Sequence, residues 1–330
     1  MLETPFTRLI GCTVPLQLAG MGPISSPELA AAVSEAGGLG LITLARAPLE
    51  VVEQRLERIR ELTSKPYGVN LLIPYLDDEI LELAARTARV IDFFWGSPDP
   101  ALVRRAHEAG ALASWQVGSA AEALAAEAAG CDFMIAQGNE AGGHIRGTLA
   151  LLPLLGDVLD AVSIPVLAAG GIGSSRSVAA VLAAGAAGVR VGTRFIAASE
   201  SNAHPDYVRA LIAAGSEDSV RSTRFEVDCG LCPSTHGILR TAIANADAFR
   251  GEVVGEVEVS GERRNIRRFQ GLPPSKAVSG TIAAMASYAG QSVGSVKRVQ
   301  PAAEIVAELF DGVDEILGRS GPTEARVGAT

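Results

Sequence analysis

The sequence predicts an α/β protein built on a TIM (β/α)8 barrel, with a C-terminal cap and terminal helices. Three observations carry this. Short aliphatic or β-branched runs alternate with longer helical patterns at roughly 25-residue intervals, the mark of successive βα units. Eight such runs are present, and eight consecutive units favour a closed parallel barrel over an open sheet. The helical stretches open on Ser or Pro and several close on Ala-Gly, so the punctuation agrees with the periodicity.

The expected strands are Leu16 to Ala19, Leu39 to Thr43, Tyr67 to Leu72, Val90 to Phe94, Ala111 to Gln116, Phe133 to Gln137, Val166 to Ala169 and Gly188 to Val191. Helices such as Ser26 to Ala36, Pro48 to Thr63, Ser119 to Ala129 and Ser174 to Ala184 lie between them. Gly37, Gly110, Gly130 and Gly185 stand where a left-handed residue stops a helix. The barrel is expected over residues 1–215. Beyond it the alternation stops, and residues 216–280 read as an excursion over the barrel mouth. Residues 281–330 read as C-terminal helices packing back, with a helix pair from about Thr281 to Leu317.

Composition narrows the class. The chain has 330 residues, 28 Lys+Arg against 37 Asp+Glu, and a formal charge of -9. Net negative charge without a basic cluster argues against nucleic acid or anionic lipid as partner. The start lacks a basic flank and apolar core, and no uncharged apolar run reaches the ~18 residues needed to span a bilayer. A soluble, cytoplasmic protein with a small-molecule substrate is the expectation; a homo-oligomer is compatible with the sequence.

In a barrel of this kind the chemistry sits where strands run out into loops. Those ends are neutral here: Gly20-Met21-Gly22, Asn70, Trp95-Gly96, Gln116, Gln137-Gly138-Asn139-Glu140, Gly170-Gly171 and Gly192-Thr193. A metal-dependent hydrolase would place several His, Asp or Glu there, and only Glu140 and nearby His144 qualify. A Schiff-base enzyme needs a strand-borne lysine, but Lys65, Lys276 and Lys297 all fall outside the strands. Amides and exposed backbone suit a flat, polar organic cofactor instead. The runs Ala169-Gly170-Gly171-Ile172-Gly173-Ser174 and Val191-Gly192-Thr193-Arg194 follow strands seven and eight, where this fold usually cradles phosphate on backbone N–H groups. Without a third glycine after Gly171-Ile172-Gly173, a dinucleotide fingerprint is not expected.

Four cysteines are too few for a disulfide scaffold, and only Cys229-Gly-Leu-Cys232 has a metal or redox spacing. With His236 the only nearby helper, the pair reads as part-buried thiols in a loop, and no metal is expected. His107 and His204 read as surface or capping residues, and His236 is left without a role. His144, in the glycine-rich loop after strand six, stands at the mouth where a base working near neutral pH would be placed.

That loop, Gln137 to Gly147, together with Leu18-Ala19-Gly20-Met21, Gly68-Val69-Asn70, Ala168 to Ile172, Val191 to Phe195 and Tyr288 to Gly294, resembles the nitronate monooxygenase family of FMN-dependent barrels. Its relatives include an enoyl-ACP reductase and an NADH:quinone reductase. The resemblance implies FMN backed by Ala19, Gly20 and Met21 and hydrogen-bonded by Asn70, Gln137 and Gly142. It implies ribityl and phosphate held by Gly171 and by Arg190, Val191, Gly192 and Thr193, Gln291 closing over the ring, and His144 as the catalytic histidine. Gln116 and Gly170 join the cofactor set by their place at the strand ends. The implied reaction is oxidation of alkyl nitronates and nitroalkanes by O2. The alternatives are NAD(P)H-dependent reduction of enoyl thioesters or quinones and, in another class, a non-catalytic flavin-binding protein.

Overall fold

The computed structural model of the protein describes residues 2–259 and 261–319. Its centre is a barrel of eight parallel strands: β1 (Leu16–Leu18), β2 (Gly40–Thr43), β3 (Tyr67–Leu72), β4 (Val90–Phe94), β5 (Leu112–Val117), β6 (Phe133–Gln137), β8 (Val166–Ala169) and β9 (Gly188–Val191). Each pairs with its neighbour in chain order, and a parallel bridge between Gln17 and Leu39 joins β1 to β2 and closes the ring. The strands are almost wholly buried, as a barrel filled inside and covered outside by helices requires.

The helices begin where their caps say. Ser26, Ser119 and Ser174 accept hydrogen bonds from the first-turn N–H groups of helices Pro27–Glu35, Ala120–Ala128 and Ser175–Ala183. At the far end of the barrel a short helix, Pro5–Ile10, inserts Phe6 and Ile10 among Leu39, Val90, Phe133 and Leu167. That plug leaves only the C-terminal ends of the strands open.

The cap is more regular than the sequence suggested. The strand β7 (Gly143–Ile145) leaves the loop after β6 and pairs antiparallel with β11 (Thr235–Leu239), which in turn pairs with β10 (Ser219–Ser222). A helix, Arg240–Ala248, follows β11. A ribbon of β12 (Val253–Val259) and β13 (Glu262–Arg267) comes next, with β14 (Val278–Gly280) on the other edge of β12. These elements share a second hydrophobic core around Tyr207, Phe225, Ile238, Ile266 and Met285.

One expectation is corrected. No helix begins at Thr281. The chain from 281 to 301 is an extended strap with single 3-10 turns at Ile282–Ala284 and Gln291–Ser295, and the helices are Ala302–Phe310 and Val313–Arg319. Ala284, Ala286, Ala289 and Val293 are buried in the second core, so tertiary packing overrides the helical tendency of this Ala-rich run. The two helices pack on Pro27–Glu35 and Ser175–Ala183, with Ile305, Leu309 and Val313 in the barrel's core. Residues 320–330, part of the expected C-terminal segment, lie outside the described residues.

Candidate active site

A cavity of about 810 Å³ opens at the C-terminal ends of the strands, between barrel and cap. Every candidate residue from the sequence lines it except Gln291. Around Gln291, Gly290 and Ser292 line the wall, while the Gln291 N–H is tied to the Glu140 carbonyl at 2.9 Å.

The floor is a closed polar network. Asp92, wholly buried on β4, accepts from Asn70 Nδ2 (2.8 Å), Ser114 Oγ (2.9 Å) and Arg190 Nη2 (2.5 Å). Arg190 also donates to Gln116 Oε1 (2.6 Å) and Gln17 Oε1 (3.0 Å). Each of its three guanidinium nitrogens is therefore engaged beneath the cavity. The pair is charge-neutral, which keeps the floor neutral overall. Some capacity is left over: Asn70 Oδ1 accepts only from Thr43 (3.2 Å), and the Gln116 NH2 has no partner among the described residues.

The wall is glycine backbone. Gly170 and Gly171 both take positive φ, +107° and +70°, so their peptides turn in a way an L-residue resists. Ser177 Oγ accepts from the N–H groups of Gly173 and Ser174. The N–H groups of Gly171, Ile172, Gly192 and Thr193 have no acceptor among the described residues. Four unsatisfied donors on two adjacent loops make an anion cradle.

The roof carries the reactive side chains. Gln137 clamps β7 by donating to the His144 carbonyl (3.0 Å) and accepting from the Arg146 N–H (2.9 Å). Across the ladder His144 pairs with His236, ring centroids 4.4 Å apart, and Trp95 meets the His144 ring edge-on at 5.8 Å. His144 Nε2 lies 3.1 Å from Cys229 Sγ. The expectation of two separate thiols is corrected: Cys229 and Cys232 are joined as a disulfide, Cα–Cα 5.4 Å. Burial, and after it the neighbouring His236, lower the His144 pKa from 6.5 to about 3. Both influences favour the neutral ring. Tyr288, which also lines the cavity, has a buried hydroxyl without a partner among the described residues.

The nitronate monooxygenase profile matches residues 3–80 and 75–312. The chain belongs to the nitronate monooxygenase family. It is accordingly an oxidoreductase of that family, with a flavin as cofactor. Within the family the likenesses diverge. The chain is 38% identical over 246 residues, 73% of its length and 67% of the relative's, to the Mycobacterium tuberculosis protein named (3aS,4S,5R,7aS)-5-hydroxy-7a-methyl-1-oxo-octahydro-1H-indene-4-carboxyl-CoA dehydrogenase. It is 31% identical over 268 residues, 66% of its length and 75% of the relative's, to a probable nitronate monooxygenase of Staphylococcus aureus. The solved structure of FabK from Thermotoga maritima superposes with a TM-score of 0.79 at 28% identity, covering 97% of this chain and 98% of that one.

Sequence reasoning gave no role of their own to four further residues in or under this cavity. Asp92 left one signal, a lone carboxylate inside the apolar strand Val-Ile-Asp-Phe-Phe. Tyr288 left only its place in the strap. Arg46 and Arg55 line the cavity after β2 and have no carboxylate partner among the described residues; Arg46 lies over the Tyr75 ring at 4.1 Å. Burial without a counter-charge lowers the Arg55 pKa from the ordinary guanidinium range.

Proposed function

We propose that the protein is an FMN-dependent oxidoreductase acting on the acyl part of a CoA or acyl-carrier thioester. The observation that carries this is Arg55, a part-buried cation without a counter-charge among the described residues, on the wall of a cavity whose floor is otherwise neutralised and beside the exposed Arg46. A part-buried guanidinium without a partner is costly unless an anion meets it in the working complex. A small nitronate brings no second anionic group to meet these arginines, whereas a phosphate-bearing thioester carrier offers one at the mouth as its acyl end enters. The relative named as a carboxyl-CoA dehydrogenase supports the same reading.

FMN fits the residues present. The free N–H groups of Gly171, Ile172, Gly192 and Thr193 form one phosphate cradle, which suits the single phosphate of FMN. Asn70 Oδ1, the Gln116 NH2 and the remaining donor of Gln137 would hold the polar edge of the flavin, and Ala19, Gly20 and Met21 would pack against it. Bound there, the flavin supplies a hydride acceptor and donor. The chain's own part is to orient. The neutral His144 ring stands at the roof, able to donate one hydrogen bond to a thioester carbonyl, with the Tyr288 ring packed beside it, and the cap excludes water.

A second reading, oxidation of alkyl nitronates by O2, is supported by the profile match and by the neutral pocket around His144. Anaerobic mixing separates the two. Bleaching of the flavin by a saturated acyl-CoA, or reoxidation of NADH-reduced flavin by an enoyl thioester, is expected. Bleaching by nitronate alone would overturn the thioester reading in favour of the second.

A further inference from the structure

We propose that, when the Cys229–Cys232 bond is reduced, His144, Cys229, Cys232 and His236 form a tetrahedral Cys2His2 site for Zn2+ in the roof of the cavity. The four ligand atoms already lie within 4.8 Å of one another. Zinc with bonds of about 2.0–2.1 Å to nitrogen and 2.3 Å to sulfur separates N and S ligands by about 3.6 Å. The distances found are 3.1 Å from His144 Nε2 to Cys229 Sγ, 3.6 Å from Cys232 Sγ to His236 Nε2 and 4.0 Å from Cys232 Sγ to His144 Nε2. They straddle that value, so opening the S–S bond is the one change the site needs.

The outer shell is also in place. The His236 Nδ1 faces the Ser222 carbonyl at 3.2 Å, which holds the proton on that nitrogen and leaves the Nε2 lone pair towards the sulfurs. Tyr288 stacks on the same ring at 5.5 Å, fixing its plane. The two histidines are held opposite each other by the β7–β11 ladder, and the C-x-x-C turn brings both sulfurs to them. Four protein ligands make a closed site, of the kind that holds a metal without activating water.

The chemistry balances in two steps. A dithiol donor gives two electrons and two protons, the S–S bond breaks, two S–H bonds form and the donor becomes a disulfide. Zn2+ then displaces both thiol protons and gains two Zn–S and two Zn–N bonds, and the resulting group is neutral.

The test uses the flavin-loaded protein, reduced anaerobically with a phosphine, freed of excess reductant and titrated with Co2+. One equivalent per chain is expected, with tetrahedral d–d bands to the red of the flavin absorption and sulfur-to-cobalt charge transfer, both abolished by Zn2+. The oxidised protein should show neither. Cys232→Ser and His236→Ala, checked for fold by circular dichroism and for flavin content, should each weaken binding by more than tenfold. No uptake by the reduced protein, or uptake by both variants as tight as that of the unsubstituted protein, would overturn the site. His144 is shared with the reaction proposed above, so Zn2+ should also suppress turnover of the reduced enzyme. That arm alone rests on the thioester reading: stoichiometric binding without inhibition would leave the metal site standing and remove His144 from the reaction.

Discussion

The floor and the roof of the cavity solve opposite problems. On the floor every charge has a fixed partner: Asp92, Arg190, Asn70, Ser114, Gln17 and Gln116 form one buried network supplied by five different strands. Around the mouth the polar groups are under-committed: Tyr288 lacks a partner, Arg55 lacks a counter-charge, and His144 faces sulfur. A site that must hold one cofactor through every turnover benefits from the first arrangement, and one that must exchange substrates needs the second. The difference separates what shapes the pocket from what reacts in it.

The comparison is broken most forcefully at the floor. Arg190→Met leaves Asp92 as an uncompensated buried charge, and denaturant unfolding should show a loss of about 3–5 kcal/mol. The double variant Asp92→Leu with Arg190→Met should regain most of it. If the double were as unstable as the single, the pair would be serving more than its own neutralisation.

At the roof the expected effect is on rate. His144→Asn should lower kcat by about 10²-fold with flavin content and stability little changed, since one hydrogen bond to a developing charge is removed. The pH profile sharpens this. A pKa lowered to about 3 means the ring gains its proton only near pH 3, so kcat between pH 5 and 8 should show no limb belonging to this histidine. A limb near 6.5 that vanishes in His144→Asn would show a ring that titrates in the working range.

On the wall, Gly171→Leu should weaken FMN retention by at least tenfold. Position 171 has φ of +70° and a Cβ there would stand 3.4 Å from Glu140 Cβ, so the peptide would have to turn and its N–H would leave the cradle. Fluorescence titration of released flavin measures it, and unchanged affinity would move the phosphate elsewhere.

The same division between barrel and cap governs what could be read from the sequence. The barrel's eight strands and the helices opened by Ser26, Ser119 and Ser174 were legible, because periodicity and caps are local signals. The glycine clusters after β8 and β9 and the amides at the strand ends were legible for the same reason, since the fold rule says where such ends gather. The cap was not. The pairing of β7 with β11 joins segments far apart in the chain, and only that pairing sets His144 against His236 and the cysteines. Read locally, Cys229-x-x-Cys232 had one helper; in the fold it has two. The pairing of Arg190 with Asp92 left no local signal either, since the two lie on different strands.

The central claim is that the mouth is built for a phosphate-bearing carrier, and Arg55 tests it most directly. KM should be measured for an acyl-CoA and for the same acyl group on a truncated pantetheine thioester without phosphates, in the wild-type enzyme and in Arg55→Ala. The expected result is a KM raised about tenfold for the CoA thioester and unchanged for the truncated one, the loss of one charge-assisted contact. Equal KM values for the CoA thioester in the two enzymes, or equal losses on both substrates, would contradict it.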